Sequence, residues 1–465
     1  MSNHSESITQ DWLSGLQEST TSTLSDSPNY WSPSASTLLT TSQPLSFTLG
    51  TGFQILSTIL QKCSTTRHEL IIVTCFWATS SSQREISSLL QKLSTKGLAQ
   101  NRKIQVRICF SSRSIVQKLF QTGSLNGRIY QPEEWPGLGL PEASDLEGLV
   151  MQVKSVFVRP FSVMHPKFIL VDRELAFMPS CNVSWENWFE GCIEMRGGIT
   201  EKLFDFYISF WAQGKTDLPP LPAQEPNSTQ LPSLAPSPPP NSLIKHTTFP
   251  SSHPPPLTIL LPSPHHTNPQ FRLLSTRASS PPPTPLNTFL LTLFTHATRK
   301  IYIQTPNLTS KPVISALFAA LSRGIDIHLV TSSRLMILEQ LVTAGTITEF
   351  EVWKLMRKVK RLLVERERRK EDVERLGEGV GMGMGTLRVG YFHAREGQSG
   401  EGEPVKSHLK LCVVDEEVVV LGSGNMDRAS WYTSQELGVA FFDREVAGAI
   451  LMDVQEGLEG RVDYV

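Results

Sequence analysis

Two short segments of the chain repeat one arrangement of a histidine, a lysine and an aspartate. In each copy the lysine follows the histidine by two residues, and the aspartate follows the lysine by five. The residues are His165, Lys167 and Asp172 in the first copy and His408, Lys410 and Asp415 in the second. Residues two apart on a strand point to the same face, so an imidazole and an ammonium can reach a common point. Such a pair is suited to nucleophilic or acid–base chemistry on a bound anion.

A polar segment follows each copy after six further residues. The two segments are Pro179-Ser180-Cys181-Asn182 and Gly422-Ser423-Gly424-Asn425. Their serine and asparagine side chains can donate hydrogen bonds to phosphoryl oxygens. A single histidine beside an apolar strand is often an ordinary core residue. The duplication of the whole pattern argues against that reading and predicts a site for a phosphodiester.

The paired motifs resemble those of the phospholipase D superfamily, whose two-lobed members carry HxK, four residues, Asp, six residues and GSxN twice. The resemblance implies that His165 attacks phosphorus and forms a phosphohistidine. His408 would protonate the leaving alcohol and then activate water or another alcohol, although the two roles could be exchanged. Phosphoryl oxygens would be held by Lys167, Lys410, Asn182 and Asn425, with Ser180 and Ser423 as nearby donors. No cofactor and no metal ion is implied.

A nucleophilic imidazole needs an acceptor that fixes its second nitrogen. The family places a glutamate shortly after its asparagine for this purpose. Glu190 and Glu436 fit, because each opens a similar run, Glu-Gly-Cys-Ile and Glu-Leu-Gly-Val. Glu194 competes for the first position. Asp172 and Asp415 follow the strand away from the histidines and are assigned structural hydrogen bonds.

The elements around the motifs predict an α/β fold of two lobes, and the resemblance implies that these lobes are phospholipase D-like. Each lobe is expected to be a mixed β-sheet flanked by helices, and the two to be related by pseudo-twofold symmetry. A strand–helix–strand series precedes each motif, and the apolar runs 168–171 and 411–414 indicate strands buried on both faces. The predicted divisions are a disordered tail at 1–45, lobes at 46–216 and 286–465, and a Pro/Ser-rich linker at 217–285.

The sequence departs from the family pattern at two places. Pro179 stands where the family has glycine, so that the backbone loses a donor and has a fixed φ. The second lobe also carries a basic helical insertion at 352–376 and a Gly-rich loop at 377–403. Apolar residues recur at helical spacing between 352 and 363, among lysines and arginines. This stripe either docks the helix on the lobe, which we favour, or contacts an anionic membrane surface.

Composition restricts the class of protein. The 465 residues carry a formal charge of −1, which does not favour a general nucleic-acid-binding role. The six cysteines lack metal-ligand spacing and indicate reduced thiols inside a cell. No apolar run approaches the length of a bilayer span, and the N-terminus lacks the core of a signal peptide. A cytoplasmic or peripheral membrane protein is therefore expected.

Three functions compete. The first is a phosphodiesterase acting on phospholipids by hydrolysis or phosphatidyl transfer, since residues 301–330 also look like phosphatidyltransferases such as cardiolipin synthases. The second is a nuclease or nucleic-acid end-processing enzyme of the same fold, and the third is a non-catalytic scaffold. Two complete motifs oppose the scaffold, and basic residues gathered in one insertion oppose a nucleic-acid groove. Four aromatic residues after the asparagines are expected to fill core space rather than line a groove. They are Trp185, Trp188, Trp431 and Tyr432.

Overall fold

The computed structural model describes residues 3–23, 26–114, 117, 125–158, 162–215, 218–221, 244–251, 254–266, 280–376, 383–396 and 402–465. The first half contains α1 (Asn3–Thr23), β1 (Leu39–Gly50), α2 (Gly52–Cys63), β2 (Glu69–Phe76), α3 (Ser81–Ala99), β3 (Ile104–Ser112), β4 (Arg128–Tyr130), β5 (Leu149–Ser155), β6 (Phe157–Val158), β7 (Ser162–Val163), β8 (Phe168–Val171), β9 (Leu175–Pro179), β10 (Trp188–Gly197) and α4 (Gly198–Phe210).

The second half contains β11 (Lys245–Thr248), β12 (Leu257–Ser263), α5 (Pro285–His296), β13 (Lys300–Thr305), α6 (Lys311–Ser322), β14 (Asp326–Ser332), α7 (Ile337–Ala344), α8 (Thr348–Leu376), β15 (Leu387–Phe392), β16 (Lys406–Ser407), β17 (Leu411–Val414), β18 (Val418–Gly422), α9 (Arg428–Tyr432), β19 (Glu436–Phe442), α10 (Arg444–Gly457) and β20 (Val462–Tyr464). The predicted α/β class, with mixed sheets flanked by helices, is confirmed.

The two halves build their sheets in the same order. In the first, neighbouring strands run β1, β10, β9, β8, β2, β3 and β5. In the second they run β12, β19, β18, β17, β13, β14 and β15. The directions also agree, because the last two pairings are parallel in both halves and the others are antiparallel. β1 pairs with strands of both sheets, β10 and β12, and so ties the lobes together.

The N-terminal segment is not a structureless tail, so the expectation for residues 1–45 is wrong where they are described. Ile8, Trp12 and Leu16 lie four residues apart on α1, which aligns them on one face of the helix, and all three are buried. The Trp12 indole donates a hydrogen bond to the Pro285 carbonyl at 3.1 Å, and its ring packs edge-on against Phe289. The Ser- and Thr-rich composition of the segment predicted disorder, although this apolar stripe is present.

The linker expectation is likewise wrong for part of 217–285. β11 pairs with β1, and β12 joins β1 on one side and β19 on the other. Ile259, Leu260 and Leu261 are buried in the core, so this apolar run outweighs the prolines around it. Residues 222–243 and 267–279 of the predicted linker lie outside the described residues.

The basic insertion forms part of α8, whose apolar stripe faces the protein. Val352, Leu355 and Val359 are buried, while Lys354 and Arg357 are exposed. The stripe is therefore a docking contact with the lobe, as favoured from the sequence. Residues 377–382 and 397–401 of the predicted Gly-rich loop lie outside the described residues, and β15 lies within the remainder. None of the helices in the described ranges is long and apolar enough to span a bilayer.

Candidate active site

Both histidine–lysine pairs lie just before a central buried strand rather than on it. His165 and Lys167 precede β8, and His408 and Lys410 precede β17. Each pair thus sits at the end of its strand and outside the regular part of it. A local contact replaces the strand geometry, because each lysine Nζ donates to the backbone oxygen of its own histidine, at 2.9 Å in the first motif and 2.5 Å in the second.

Each histidine is held by a glutamate from the other lobe. Nδ1 of His165 lies 2.8 Å from Oε2 of Glu436, which begins β19. Nδ1 of His408 lies 2.7 Å from Oε1 of Glu190 on β10. An ionised carboxylate only accepts hydrogen bonds, so each Nδ1 carries the proton and each Nε2 is left with a lone pair. The two motifs therefore belong to one site, and neither lobe holds its own histidine.

Serines fix these two glutamates. Ser180 donates to Glu190, and Ser423 donates to Glu436 at 2.5 Å. The Ser430 hydroxyl, on α9, donates to the other oxygen of Glu436 at 2.7 Å. The motif serines thus act on the carboxylates that orient the imidazoles. The sequence had assigned them to phosphoryl oxygens.

Burial sets the charge state of the site. It lowers the pKa of His165 and lowers that of His408 to about 3, although the opposing glutamate works against the shift in each case. Burial alone would raise the pKa of Glu190 and of Glu436, but the paired histidine and the hydrogen bonds lower it overall. Near neutral pH the site holds two neutral imidazoles and two carboxylates.

The two lysines are the buried cations of the site. Lys167 and Lys410 are 1% and 4% exposed, respectively. Burial lowers the pKa of Lys410 to about 7. Lys410 also acts on the opposite histidine, since its charge contributes to the lowered pKa of His165. An arriving phosphodiester anion would find both ammonium groups inside a water-poor pocket, where their charges are screened least.

The motif asparagines have different partners in the two halves. Asn182 Oδ1 accepts from the Phe76 backbone N–H at 3.3 Å, whereas Asn425 Nδ2 donates to Asp427 at 3.0 Å. Oδ1 of Asn425 is buried without a protein partner.

The backbone around Pro179 also differs from its counterpart. Gly422 has a φ of 155°, and a Cβ there would lie 2.3 Å from the Leu437 carbonyl oxygen. Proline cannot adopt that φ. The next residue is nevertheless tethered alike in both halves, through Ser180 N–H to Gly191 at 2.8 Å and Ser423 N–H to Leu437 at 2.9 Å. The substitution thus changes the strand end while it keeps the serine in place.

The motif aspartates bind backbone N–H groups away from the histidines. Asp172 accepts backbone N–H groups of Arg67, His68 and Glu69 at 2.7–2.9 Å. Asp415 accepts those of Thr298, Arg299 and Lys300, each at 2.8 Å. Both residues cap the start of the neighbouring strand, β2 or β13, at the opposite end of the motif strand from the histidine.

Among the alternatives weighed from the sequence, Glu194 lies outside the site. It bonds Lys62 and accepts from Ser46 at 2.6 Å. The four aromatic residues that follow the asparagines differ in burial. Trp431 and Tyr432 are buried as expected, but Trp185 is 65% exposed and the Trp188 ring lies 4.7 Å from the His408 ring. Core packing therefore explains Trp431 and Tyr432 but not Trp185 and Trp188.

Two acidic residues of the site were missed. Asp427 caps α9 beside Asn425, and burial raises its pKa. Burial raises the pKa of Glu186 to about 7, and its Oε2 is buried without a partner. Their positions two and four residues after the motif asparagines were the available signal, but a single sequence does not distinguish them from ordinary helix caps and loop carboxylates.

The chain is similar to known proteins in its second half and in its fold. Residues 290–456 match the family model described as the phospholipase D-like domain of cardiolipin synthase. A crystal structure of phosphatidylserine synthase from Haemophilus influenzae aligns with a TM-score of 0.52 and 12% identity, over 91% of this chain and 89% of that one. No curated protein sequence matches the chain.

Two further solved structures align less well. Polyphosphate kinase from Porphyromonas gingivalis gives a TM-score of 0.43 at 12% identity, over 87% of this chain and 49% of that one. Nuc from Salmonella typhimurium, a phospholipase D family member, gives 0.27 at 14% identity, over 44% of this chain and 95% of that one. Scores this low carry no argument. Residues 290–456 are thus similar to a phospholipase D-like domain, and the neighbour that covers most of the chain shows its fold.

Proposed function

We propose that the chain is a phosphodiesterase that acts on phospholipids, by hydrolysis or by phosphatidyl transfer, through a phosphohistidine. The observation that carries the proposal is the crossed pairing of His165 with Glu436 and of His408 with Glu190. A scaffold has no need of two buried imidazoles, each held in one tautomer by the opposite lobe.

In the first step, Nε2 of His165 attacks phosphorus and the bond to the leaving alcohol breaks. Glu436 holds the proton on Nδ1 and stabilises the positive charge that forms on the ring. The anion of the bound phosphodiester raises the pKa of His408, so that its Nε2 takes up a proton from solvent and then donates this proton to the leaving oxygen. Lys167 and Lys410 offset the charge on the phosphoryl oxygens.

In the second step, water or an acceptor alcohol attacks the phosphohistidine. His408, now neutral, takes the proton of the attacking hydroxyl, and the bond between phosphorus and His165 breaks. Water yields a phosphatidic acid, and an alcohol yields a new phosphodiester. The same groups therefore serve both outcomes.

Support for a lipid substrate comes from the second lobe, which matches the phospholipase D-like domain of cardiolipin synthase. The fold is also that of a phosphatidylserine synthase, although at 12% identity this likeness speaks for the fold alone. Lys354, Arg357, Lys358, Lys360 and Arg361 are gathered within about two turns of α8, and this concentration in one helix favours lipid over nucleic acid.

Purified protein incubated with a phospholipid panel, and separately with labelled single-stranded DNA, tests the proposal. We expect release of headgroup, or exchange with added alcohol, that is lost in His165→Asn. A matched control is His393→Asn, because His393 pairs with Asp463 at the surface and lies outside the site. Cleavage of DNA without turnover of any lipid would indicate a nuclease instead. Inactivity on both substrates would contradict the proposal that the chain is an enzyme.

A further inference from the structure

Helix α7 has the reverse of the burial pattern of a soluble helix. Gln340 is its single buried residue. The large apolar residues at and around the helix are instead exposed, and Leu338 reaches 76%. The exposed apolar residues are Met336, Ile337, Leu338, Leu341 and Val342. A surface helix ordinarily places its apolar stripe against the core and its polar face in water.

This orientation is fixed by hydrogen bonds and cannot be reversed by rotating the helix. The Gln340 amide donates to the Leu335 carbonyl at 2.6 Å and accepts from both the N–H and the hydroxyl of Thr348 at 2.8 Å. Rotation would leave these buried polar groups unsatisfied, at a cost in free energy of about 1–3 kcal/mol each. The leucines are therefore held outward.

The exposed apolar surface continues on the first turns of α8. Phe350 and Trp353 are each 50% exposed and their rings stack at 5.7 Å. Lys354 lies over the Phe350 ring and Arg357 over the Trp353 ring. We call this surface the hairpin face; its members are Met336, Ile337, Leu338, Leu341, Val342, Phe350 and Trp353. It is distinct from Val352, Leu355 and Val359 of α8, which are buried against the lobe.

The charge around the hairpin face is positive. Residues 334–361 hold six basic residues and three acidic ones. The ion pair between the buried Glu351 and Lys354 cancels one charge of each sign, and Glu349 accepts from the Arg334 N–H, so the balance remains positive. Apolar and aromatic side chains next to lysine and arginine are typical of an element that lies in the interface of an anionic bilayer.

The hairpin face lies beside the second half-site. Ser332 at the end of β14 donates to the carbonyl of Ser407, the residue before His408, at 2.7 Å. α7 begins five residues after Ser332, which limits the separation of the two Cα atoms to about 17 Å. α9, which follows Asn425, packs against α7 as well. A surface bound at α7 therefore lies close to the histidines.

We propose that the hairpin face docks on an anionic lipid bilayer. This docking would present the site to phosphodiesters in the membrane surface, a role that rests on the proposed function. Pairing with a second copy of the chain fits the charges less well. A twofold interface would bring the six basic residues of each copy against those of the other.

Sedimentation of the full-length protein with vesicles tests the proposal. Wild type is expected to pellet with vesicles that contain phosphatidylglycerol, less with pure phosphatidylcholine, and less as salt is added. Leu338→Glu combined with Leu341→Glu should weaken binding to the anionic vesicles roughly 10²-fold, because two apolar contacts are lost and two negative charges are added. Leu98→Glu combined with Met452→Glu is the matched control, since both residues are 55% exposed on other helices.

Turnover of a short-chain, monomeric phospholipid separates docking from chemistry. The Leu338/Leu341 variant should keep wild-type turnover of this substrate and lose turnover of vesicle lipid. Vesicle binding without turnover of any lipid by wild type would contradict the proposed function and leave the docking proposal standing. Wild type that fails to pellet, or a variant that pellets like wild type, would overturn the docking proposal.

Two further measurements test the charge argument and the alternative of a dimer. Arg357→Glu combined with Lys360→Glu leaves the leucines in place and should abolish the preference for anionic vesicles; an unchanged preference would contradict the charge argument. Analytical ultracentrifugation addresses the competing occupant. A dimeric wild type that becomes monomeric in the Leu338/Leu341 variant would assign the face to a second copy and overturn the bilayer proposal.

Discussion

At the scale of single residues, the crossed contacts make each imidazole depend on a carboxylate that lies far away in the sequence. Residues 165 and 436 are 271 positions apart, and residues 190 and 408 are 218 apart. The sequence identified both glutamates by their similar following runs. It could not predict which histidine each would hold, because that pairing is decided by how the lobes pack.

The carboxylates give the first prediction. Glu436→Gln and Glu190→Gln should each lower kcat by roughly 10²–10⁴-fold, because an amide neither fixes the tautomer reliably nor stabilises an imidazolium. Steady-state turnover measures the effect. Glu194→Gln is the control, since Glu194 is also a buried carboxylate on β10 but bonds Lys62 and Ser46 outside the site. Equal losses in all three variants would point to damage to the fold instead.

The lysines give a prediction about pH. Burial lowers the pKa of Lys410 to about 7, so its charge in the free enzyme is present below pH 7 and is lost as the pH rises through 7. The value of kcat/KM should therefore fall more steeply with rising pH above about pH 7, because loss of the Lys410 charge adds to the need for His408 to take up a proton. It should fall on the acid side only when the pH drops through the lowered pKa of His165.

Lys410→Arg provides the check, because a guanidinium remains charged at every accessible pH. The steeper part of the kcat/KM profile should move upward by at least about one pH unit in this variant, whatever activity it retains. A steeper part that begins at the same pH as in wild type would assign the titration to another group.

At the scale of elements, the sequence succeeded where apolar runs are long and failed where they are short. The motif strands, the helix with the buried stripe and the α/β class follow from patterns of several residues. The stripe on α1 consists of single apolar residues among Ser and Thr, and β12 lies between proline clusters. Tertiary contacts with α5, β1 and β19 order these segments, and no local pattern records such contacts.

The N-terminal helix supports a prediction about stability. Trp12→Ala removes a fully buried ring that packs on Phe289 and bonds the Pro285 carbonyl. The free energy of unfolding should fall by about 3–5 kcal/mol. Urea denaturation followed by circular dichroism measures it, with the exposed Leu98→Ala as the control. A change below about 0.5 kcal/mol would indicate that this segment is the disordered tail expected from its composition.

At the scale of the whole molecule, the two lobes together form one candidate site. Each contributes one histidine, one lysine and the glutamate that serves the other half. β1 and β12 connect the two sheets. The crossed contacts mean that separation of the lobes would leave two histidines without partners, so we regard the interface as part of the chemistry.

The charge balance of this site predicts catalysis without a metal ion. Lys167 and Lys410 already supply two positive charges to the phosphoryl oxygens. Turnover should be unchanged after dialysis against EDTA and should not rise when Mg²⁺ or Ca²⁺ is added. Activity that EDTA abolishes and a divalent cation restores would contradict a mechanism in which the lysines alone offset the phosphoryl charge.

The central claim is that one histidine becomes covalently bound to phosphorus while the other transfers protons. His408→Asn should still form the intermediate from a phosphodiester with a nitrophenol leaving group, which departs without protonation. The intermediate should persist, because the base that activates water is missing. Acid-quenched mass spectrometry of His408→Asn after this substrate is the most direct measurement. The account predicts added phosphoryl mass on the peptide that contains His165, and its absence from that peptide would contradict the account.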